Sequence, residues 1–200
     1  MSTDTIQKTE NSTVARRTPY ASTRKREYLT AQEIVSIIQA TASNRNAERD
    51  ALMISMAFNH ALRASELVEL TWDQIDLSRG ALHVKRVKNG DSGVHFLQSK
   101  EIRTLKRLKD EHRGFDKVFI SERQTPISAR AFFKMLSIAG EKAKLPFPIH
   151  PHMLRHSKGY QLANKGTDLR LIQGYMGHKN VSNTVIYTKL DANRMRGLES

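Results

Sequence analysis

The alternation of apolar and polar positions becomes regular at residue 28. In YLTAQEI, Thr30 and Glu33 stand at the two ends of a capping box, and Leu29 and Ile34 at the two positions of a hydrophobic staple, so a helix is expected to start there. From Ala47 to Leu62 the chain carries Leu52, Met53, Ile54, Met56, Ala57 and Phe58, apolar enough for the central helix of a core. SELVEL predicts a further helical turn and DLSRG a reversal. The period then changes to that of a strand. ALHVKRV and VHFLQ predict two strands joined by the turn-rich KNGDSG, a hairpin with a loose loop. Ile102, Leu105 and Leu108 mark a helix capped by Ser99, and KVFIS reads as a third strand. Helices are expected from Ser128, from the stretch HPHMLRH, and from Thr167 to Met176, with a last short one that includes Tyr187. No internal repeat is visible. The fold class that follows is α+β, mainly helical, with one small antiparallel sheet.

Residues 1–27 do not share this regularity. They are rich in Ser and Thr, poor in apolar residues, and hold six basic against three acidic residues, with RR at 16–17 and RKR at 24–26. The expectation is a flexible basic N-terminal arm on a domain spanning residues 28–200. A merely solubilising tail is the plainer alternative. Charge then narrows the class of partner. Lys and Arg total 33 against 20 Asp and Glu, a formal net charge of +13 with a pI of about 10.2. So large an excess points to a polyanion, nucleic acid before an anionic membrane. No apolar run approaches the ~20 residues of a membrane span, and the N-terminus lacks an apolar signal core. The chain has no cysteine, which excludes disulfides and thiolate catalysis.

Candidate chemistry concentrates in HPHMLRH, residues 150–156. Pro151 suits the first helical position. His152 then neighbours Arg155 three residues on and His156 four residues on. A histidine pair at that spacing can hold zinc, but the H-E-x-x-H glutamate is absent and no third ligand is near. The arginine instead offers a planar fork for two phosphate oxygens. Taken singly, the other candidates have plain structural readings. Arg63 in NHALRASELVEL is a structural ion-pair residue with Glu66, Lys88 a solvated turn lysine, and Tyr187 in TVIYTKL a core aromatic. His178 in YMGHKN either caps a helix or lines a site.

Together these residues resemble the tyrosine recombinase (phage integrase) family. Its catalytic domain carries an arginine in a G-x-R-x-S-E context, a hairpin lysine, H-x-x-R, Gly-His, and a tyrosine nine residues later. Here they fall on ALRASE with Arg63, RVKNGDSG with Lys88, HMLR with His152 and Arg155, GH with His178, and IYT with Tyr187. The order matches, and the step from His178 to Tyr187 is nine. The likeness spans roughly residues 28 to 190. Within the family, the short chain and the run from His150 to Asn180 look most like the bacterial recombinases that invert a fimbrial promoter element. Two departures stand out: Ala61 replaces the usual glycine, and the separate N-terminal clamp domain is missing, as it is in the fimbrial type.

The resemblance implies a site-specific recombinase acting through a 3′-phosphotyrosine. Tyr187 attacks the scissile phosphate, Arg63 and Arg155 hold its oxygens, and Lys88 protonates the leaving 5′-oxygen. His152 accepts the tyrosine's proton and His178 bonds the phosphate. No cofactor and no metal is implied. The implied partners are double-stranded DNA bearing short inverted repeats, a homotetramer formed on it, and accessory DNA-bending proteins, with no membrane. The implied location is the cytoplasm, on the nucleoid. Integration or excision of a mobile element is the alternative outcome. A non-catalytic DNA-binding regulator would explain the charge but not the tyrosine's spacing. A metal-dependent nuclease would explain the histidines but lacks clustered carboxylates.

Overall fold

The computed structural model describes residues 26–87 and 90–188. The regular elements among them run α1 (Ala31–Ala40), α2 (Ala47–Asn59), α3 (Ala64–Val68), β1 (Ile75–Asp76), β2 (Ala81–Val84), β3 (Gly93–Phe96), α4 (Ser99–Glu111), α5 (Ala129–Lys142), α6 (Pro151–Asn164), α7 (Leu169–Met176) and α8 (Ser182–Val185). The three strands form one antiparallel sheet in the order β1-β2-β3. The molecule is thus mainly helical with a small antiparallel sheet, as the pattern predicts.

α1 starts where the capping box places it. The Glu33 carboxylate accepts from the Thr30 backbone N–H at 2.7 Å, and Thr30 Oγ1 accepts from the Glu33 N–H at 3.2 Å. Leu29 and Ile34 are both buried. α2 is the central helix and packs against α1, α4 and α6. Leu52, Met53, Ile54 and Met56 are buried there, each contributing about 1.5–3 kcal/mol of transfer free energy. This helix stops at Asn59 rather than Leu62, because Ala61 adopts a left-handed backbone (φ 50°) that no helix can continue.

The sheet differs from expectation in its third strand. β2 pairs with β3 in the register Ala81↔Phe96 and Leu82↔His95. The remaining partner is β1, from the segment before the hairpin, with Ile75 opposite Leu82. KVFIS makes only isolated bridges, Thr71 to Lys117 and Ile120 to Pro126. Its Val118, Phe119 and Ile120 are apolar because they fill the core, not because they join a ladder. The first hairpin strand is also short. It ends at Val84, and Arg86 turns its side chain inward.

Two further boundaries are corrected. α4 is capped by Gln98, whose backbone N–H donates to Glu101 at 2.8 Å, and Ser99 is its first residue. Tyr187 lies just beyond α8, in a turn. Ser128 caps α5 as expected, accepting from the Ala131 N–H at 3.1 Å. α7 is capped by Asp168 and closed by Gly177, whose φ of 63° is the left-handed position that favours glycine. Among the described residues, no helix is long and apolar enough to cross a membrane. The proposed arm lies largely outside the described residues. Its last two members do not, and both touch the body: Arg26 bonds Glu33 at 2.5 Å and Glu27 lies 3.5 Å from His150.

Candidate active site

The site forms where α3, the base of the hairpin, α6 and the α7–α8 turn meet. Its electrostatic centre is Glu66, a buried carboxylate serving three guanidiniums. Arg63 donates to Oε1 at 2.5 Å, Arg86 donates to Oε2 at 2.9 Å, and Arg155 lies 3.9 Å from Oε2. Burial pushes the Glu66 carboxyl up. The Arg63 backbone N–H, the charge of Arg86 and the side-chain hydrogen bonds from both arginines outweigh it and hold the group below its ordinary value. Three cations on one anion leave the cluster with a net positive charge, a preformed place for a second anion.

The three arginines are held differently. Arg63 caps α3 and leaves 28% of its side chain exposed. Arg155 is 1% exposed, and its terminal nitrogens donate to the carbonyls of Ala61 and Met176, both at 2.5 Å. Those bonds use two of the five N–H groups a guanidinium carries. Burial, with Arg86 and Arg63 beside it, lowers the Arg155 pKa to about 10, so it keeps its charge at neutral pH. Arg86 also donates to the carbonyls of Ala61, His60 and Tyr175, at 3.0, 3.3 and 2.7 Å. Arg86 was not among the sequence candidates. A cation two residues from a turn carries no mark of burial, and only its contacts reveal it.

The left-handed turn at Ala61 now has a reason. It aims one carbonyl at both Arg155 and Arg86, in a backbone conformation that glycine adopts without strain. An alanine in this conformation costs about 1–2 kcal/mol, partly offset here because its methyl is fully buried.

Tyr187 is 2% exposed and packs with Ala61, Ala163, Ile172 and Met176 in a small cluster apart from the main core. Its ring rests on Gly159 of α6, where an added Cβ would lie 2.5 Å from Cζ. The core-aromatic and chemical readings of this tyrosine are therefore compatible. Burial raises its pKa to about 12. Its hydroxyl meets His156 Nδ1 at 3.0 Å, which departs from the assignment of that contact to His152. His152 is exposed, one helical turn earlier, with its ring edge-on to His156 at 4.4 Å. His178 stacks near Tyr187 at 6.3 Å between ring centroids, and its Nδ1 lies 2.9 Å from Thr184 Oγ1. A neutral His178 that accepts the Thr184 hydroxyl carries its hydrogen on Nε2 and offers it as a donor. Burial first, then neighbouring charge, lowers both His156 and His178 to about 4, so both are neutral at pH 7. Lys88 lies outside the described residues. The structure thus brings Arg63, His152, Arg155, His178 and Tyr187 together and adds Glu66, Arg86, His156 and Gly159. Among the described residues, no three His, Asp or Glu side chains are grouped to hold a metal.

α7 is fixed to the hairpin behind the site. His95 of β3 stacks on Tyr175 at 4.1 Å, and Tyr175 donates its hydroxyl to the Asn59 carbonyl at 2.5 Å. The segment leading to His178 and Tyr187 is therefore anchored to the strand that follows the hairpin loop.

Comparison with known proteins agrees with this geometry. The pattern of the phage integrase family matches residues 27–194. The type 1 fimbriae regulatory protein FimE of Escherichia coli K12 is 39% identical over 180 residues, covering 87% of this chain and 91% of FimE. FimB of the same strain is 40% identical over 183 residues, covering 89% and 92%. Among solved structures, that of XerA recombinase superposes with a TM-score of 0.72 at 26% identity, over 86% of this chain and 63% of XerA. XerH recombinase bound to its difH substrate shares the fold, with a TM-score of 0.73 at 22% identity, over 88% and 54%. This chain therefore spans about two thirds or less of those solved chains, but nearly the full length of the fimbrial proteins. It belongs to the phage integrase family, the site-specific tyrosine recombinases.

Proposed function

We propose that this protein cleaves and rejoins double-stranded DNA through Tyr187, inverting a short promoter-bearing element that controls fimbrial expression. The observation that carries the chemistry is a tyrosine hydroxyl held on an imidazole beside three guanidiniums that share one carboxylate. The likeness to FimE and FimB over almost their whole length supports the biological outcome.

In this reading the scissile phosphate enters the positive cluster as its second anion. Arg63 and the remaining N–H groups of Arg155 bind the non-bridging oxygens, with His178 donating from Nε2. Exposed His152 joins these phosphate contacts. Preorganised donors of this kind are typically worth about 10²–10³ in rate each. The Tyr187 oxygen attacks phosphorus, the bond to the 5′-oxygen breaks, and Lys88 supplies the leaving oxygen's proton. The ester preserves the phosphodiester energy, so a second 5′-hydroxyl reverses the step. Residues 28–200 form the catalytic domain. Recombination cuts two duplexes at two positions each, so the working unit is a homotetramer assembled on inverted repeats with DNA-bending proteins, in the cytoplasm on the nucleoid.

The test uses nicked DNA carrying the short inverted repeats around a promoter in the DNA flanking the gene, incubated with EDTA and resolved on denaturing gels. Wild type gives a covalent protein–DNA band, and Tyr187→Phe binds the same DNA but gives none. A band that persists in Tyr187→Phe removes Tyr187 as the nucleophile.

A further inference from the structure

We propose that His156, rather than His152, takes the proton from Tyr187 as the tyrosine oxygen attacks phosphorus. The inference rests on the reading of Tyr187 as the nucleophile.

The geometry selects His156. Its Nδ1 is 3.0 Å from the Tyr187 hydroxyl, and no other hydrogen bond to that hydroxyl exists among the described residues. The direction of the bond follows from burial. A tyrosine that is 2% exposed keeps its hydrogen and must place it on an acceptor, since an unsatisfied buried hydroxyl costs about 1–3 kcal/mol. Nδ1 is that acceptor, so its lone pair already points along the path the proton must travel. His152 lies one turn away, exposed, and touches the tyrosine only through the edge of the His156 ring. Gly159, one turn beyond on the same helix, leaves room for the ring that this bond orients.

The step balances. The bond from Tyr187 Oη to phosphorus forms while the bond from phosphorus to the 5′-oxygen breaks. The hydroxyl proton passes to Nδ1, making His156 an imidazolium, and the leaving oxygen takes its proton from the general acid. On religation the phosphotyrosine bond breaks and His156 returns the proton to Oη. The same side chain thus serves both directions, as reversibility requires.

The experiment measures single-turnover cleavage at saturating DNA for wild type, His156→Ala and His156→Asn, each made with tyrosine or with a fluorinated tyrosine at position 187. With tyrosine, His156→Ala is expected to be slower by roughly 10²–10³, and His156→Asn, which keeps an acceptor near Nδ1, to fall between. Fluorination makes the nucleophile more acidic and less dependent on a base. The ratio of wild-type to His156→Ala rates should then shrink by roughly tenfold. A large ratio that fluorination leaves unchanged assigns His156 a purely structural role and overturns the proposal. Wild-type cleavage by His156→Ala also overturns it, and faster cleavage makes the bond a latch instead of a base. If the alanine variant fails to fold, the ratio is read on His156→Asn. An adduct formed by Tyr187→Phe would instead sink the underlying assignment of the nucleophile.

Discussion

At Glu66 one carboxylate, 4% exposed, faces Arg63, Arg86 and Arg155. Replacing it by Gln removes the anion but leaves two buried guanidiniums, and breaking a buried pair in this way costs about 3–5 kcal/mol. For a chain of this size that lowers the melting temperature by roughly 10 °C. The sign with pH follows from the lowered pKa of Glu66. Its stabilisation is fully present above the unfolded carboxyl's value of about 4.3 and is lost as pH falls through the lower folded value. Wild type and Glu66→Gln should therefore differ by a constant amount above about pH 5 and converge below it. Thermal unfolding of both from pH 3 to 8 checks this, and parallel curves throughout would show that the pair does not govern acid stability. At this scale the sequence exposes residues that form motifs. Arg63, Arg155, His178 and Tyr187 sit at fixed spacings, and even the pairing of Arg63 with Glu66 is readable as a three-residue step on a helix. The partner of Tyr187 is not. His152 and His156 share a helix face, and only the way α8 brings the tyrosine back over α6 decides which one it meets.

Among the elements, helices were legible wherever local chemistry starts them. The capping box before α1, Ser128 before α5 and Pro151 at the head of α6 act within one turn. The third strand was not legible. β1 and KVFIS are both short apolar segments, and pairing across the sheet, which no local pattern encodes, gives the edge to Ile75 and Asp76. The hairpin shows the same limit with consequences for mechanism. It carries three cations in four residues, and two are engaged. Lys85 reaches Asp73 at 3.2 Å, and Arg86 is buried on Glu66. Arg86 is buried and always charged, so it is no proton donor. Lys85, 68% exposed in a surface pair, stays the alternative to Lys88, the lysine at the family's hairpin position. Lys88→Ala should cleave ordinary DNA slowly, by about 10²–10⁴, yet cleave a 5′-bridging phosphorothiolate much closer to the wild-type rate. A thiolate leaves without a proton, so only loss of an acid is relieved. Equal impairment on the two substrates would reduce Lys88 to a DNA contact.

For the whole molecule, the question is which parts of residues 1–200 hold the DNA. Residues 28–200 carry 27 basic and 17 acidic residues, a net +10, so the body alone should bind. We propose that the basic residues of the N-terminal segment add phosphate contacts to those of the body. Arg26 cannot serve there in the state described. It is tied to Glu33 and lies over the rings of Tyr28 and Phe147, at 5.4 and 5.1 Å. That leaves Lys8, Arg16, Arg17, Arg24 and Lys25 ahead of it, four of them clustered between 16 and 25. The truncation that isolates the arm therefore removes residues 2–25 and spares the Arg26 contacts, which help hold the start of α1. Each phosphate these residues neutralise adds about 0.9 to the slope of log affinity against log salt. Two or three contacts would flatten the slope by roughly 2–3 on deletion, with all DNA sequences weakened alike, because phosphate contacts carry no base information. Cleavage of a saturating suicide substrate should persist, since every proposed catalytic residue lies at Arg63 or beyond. An unchanged salt slope would make the segment a solubilising tail, and normal binding without cleavage would mean that the arm completes the active site.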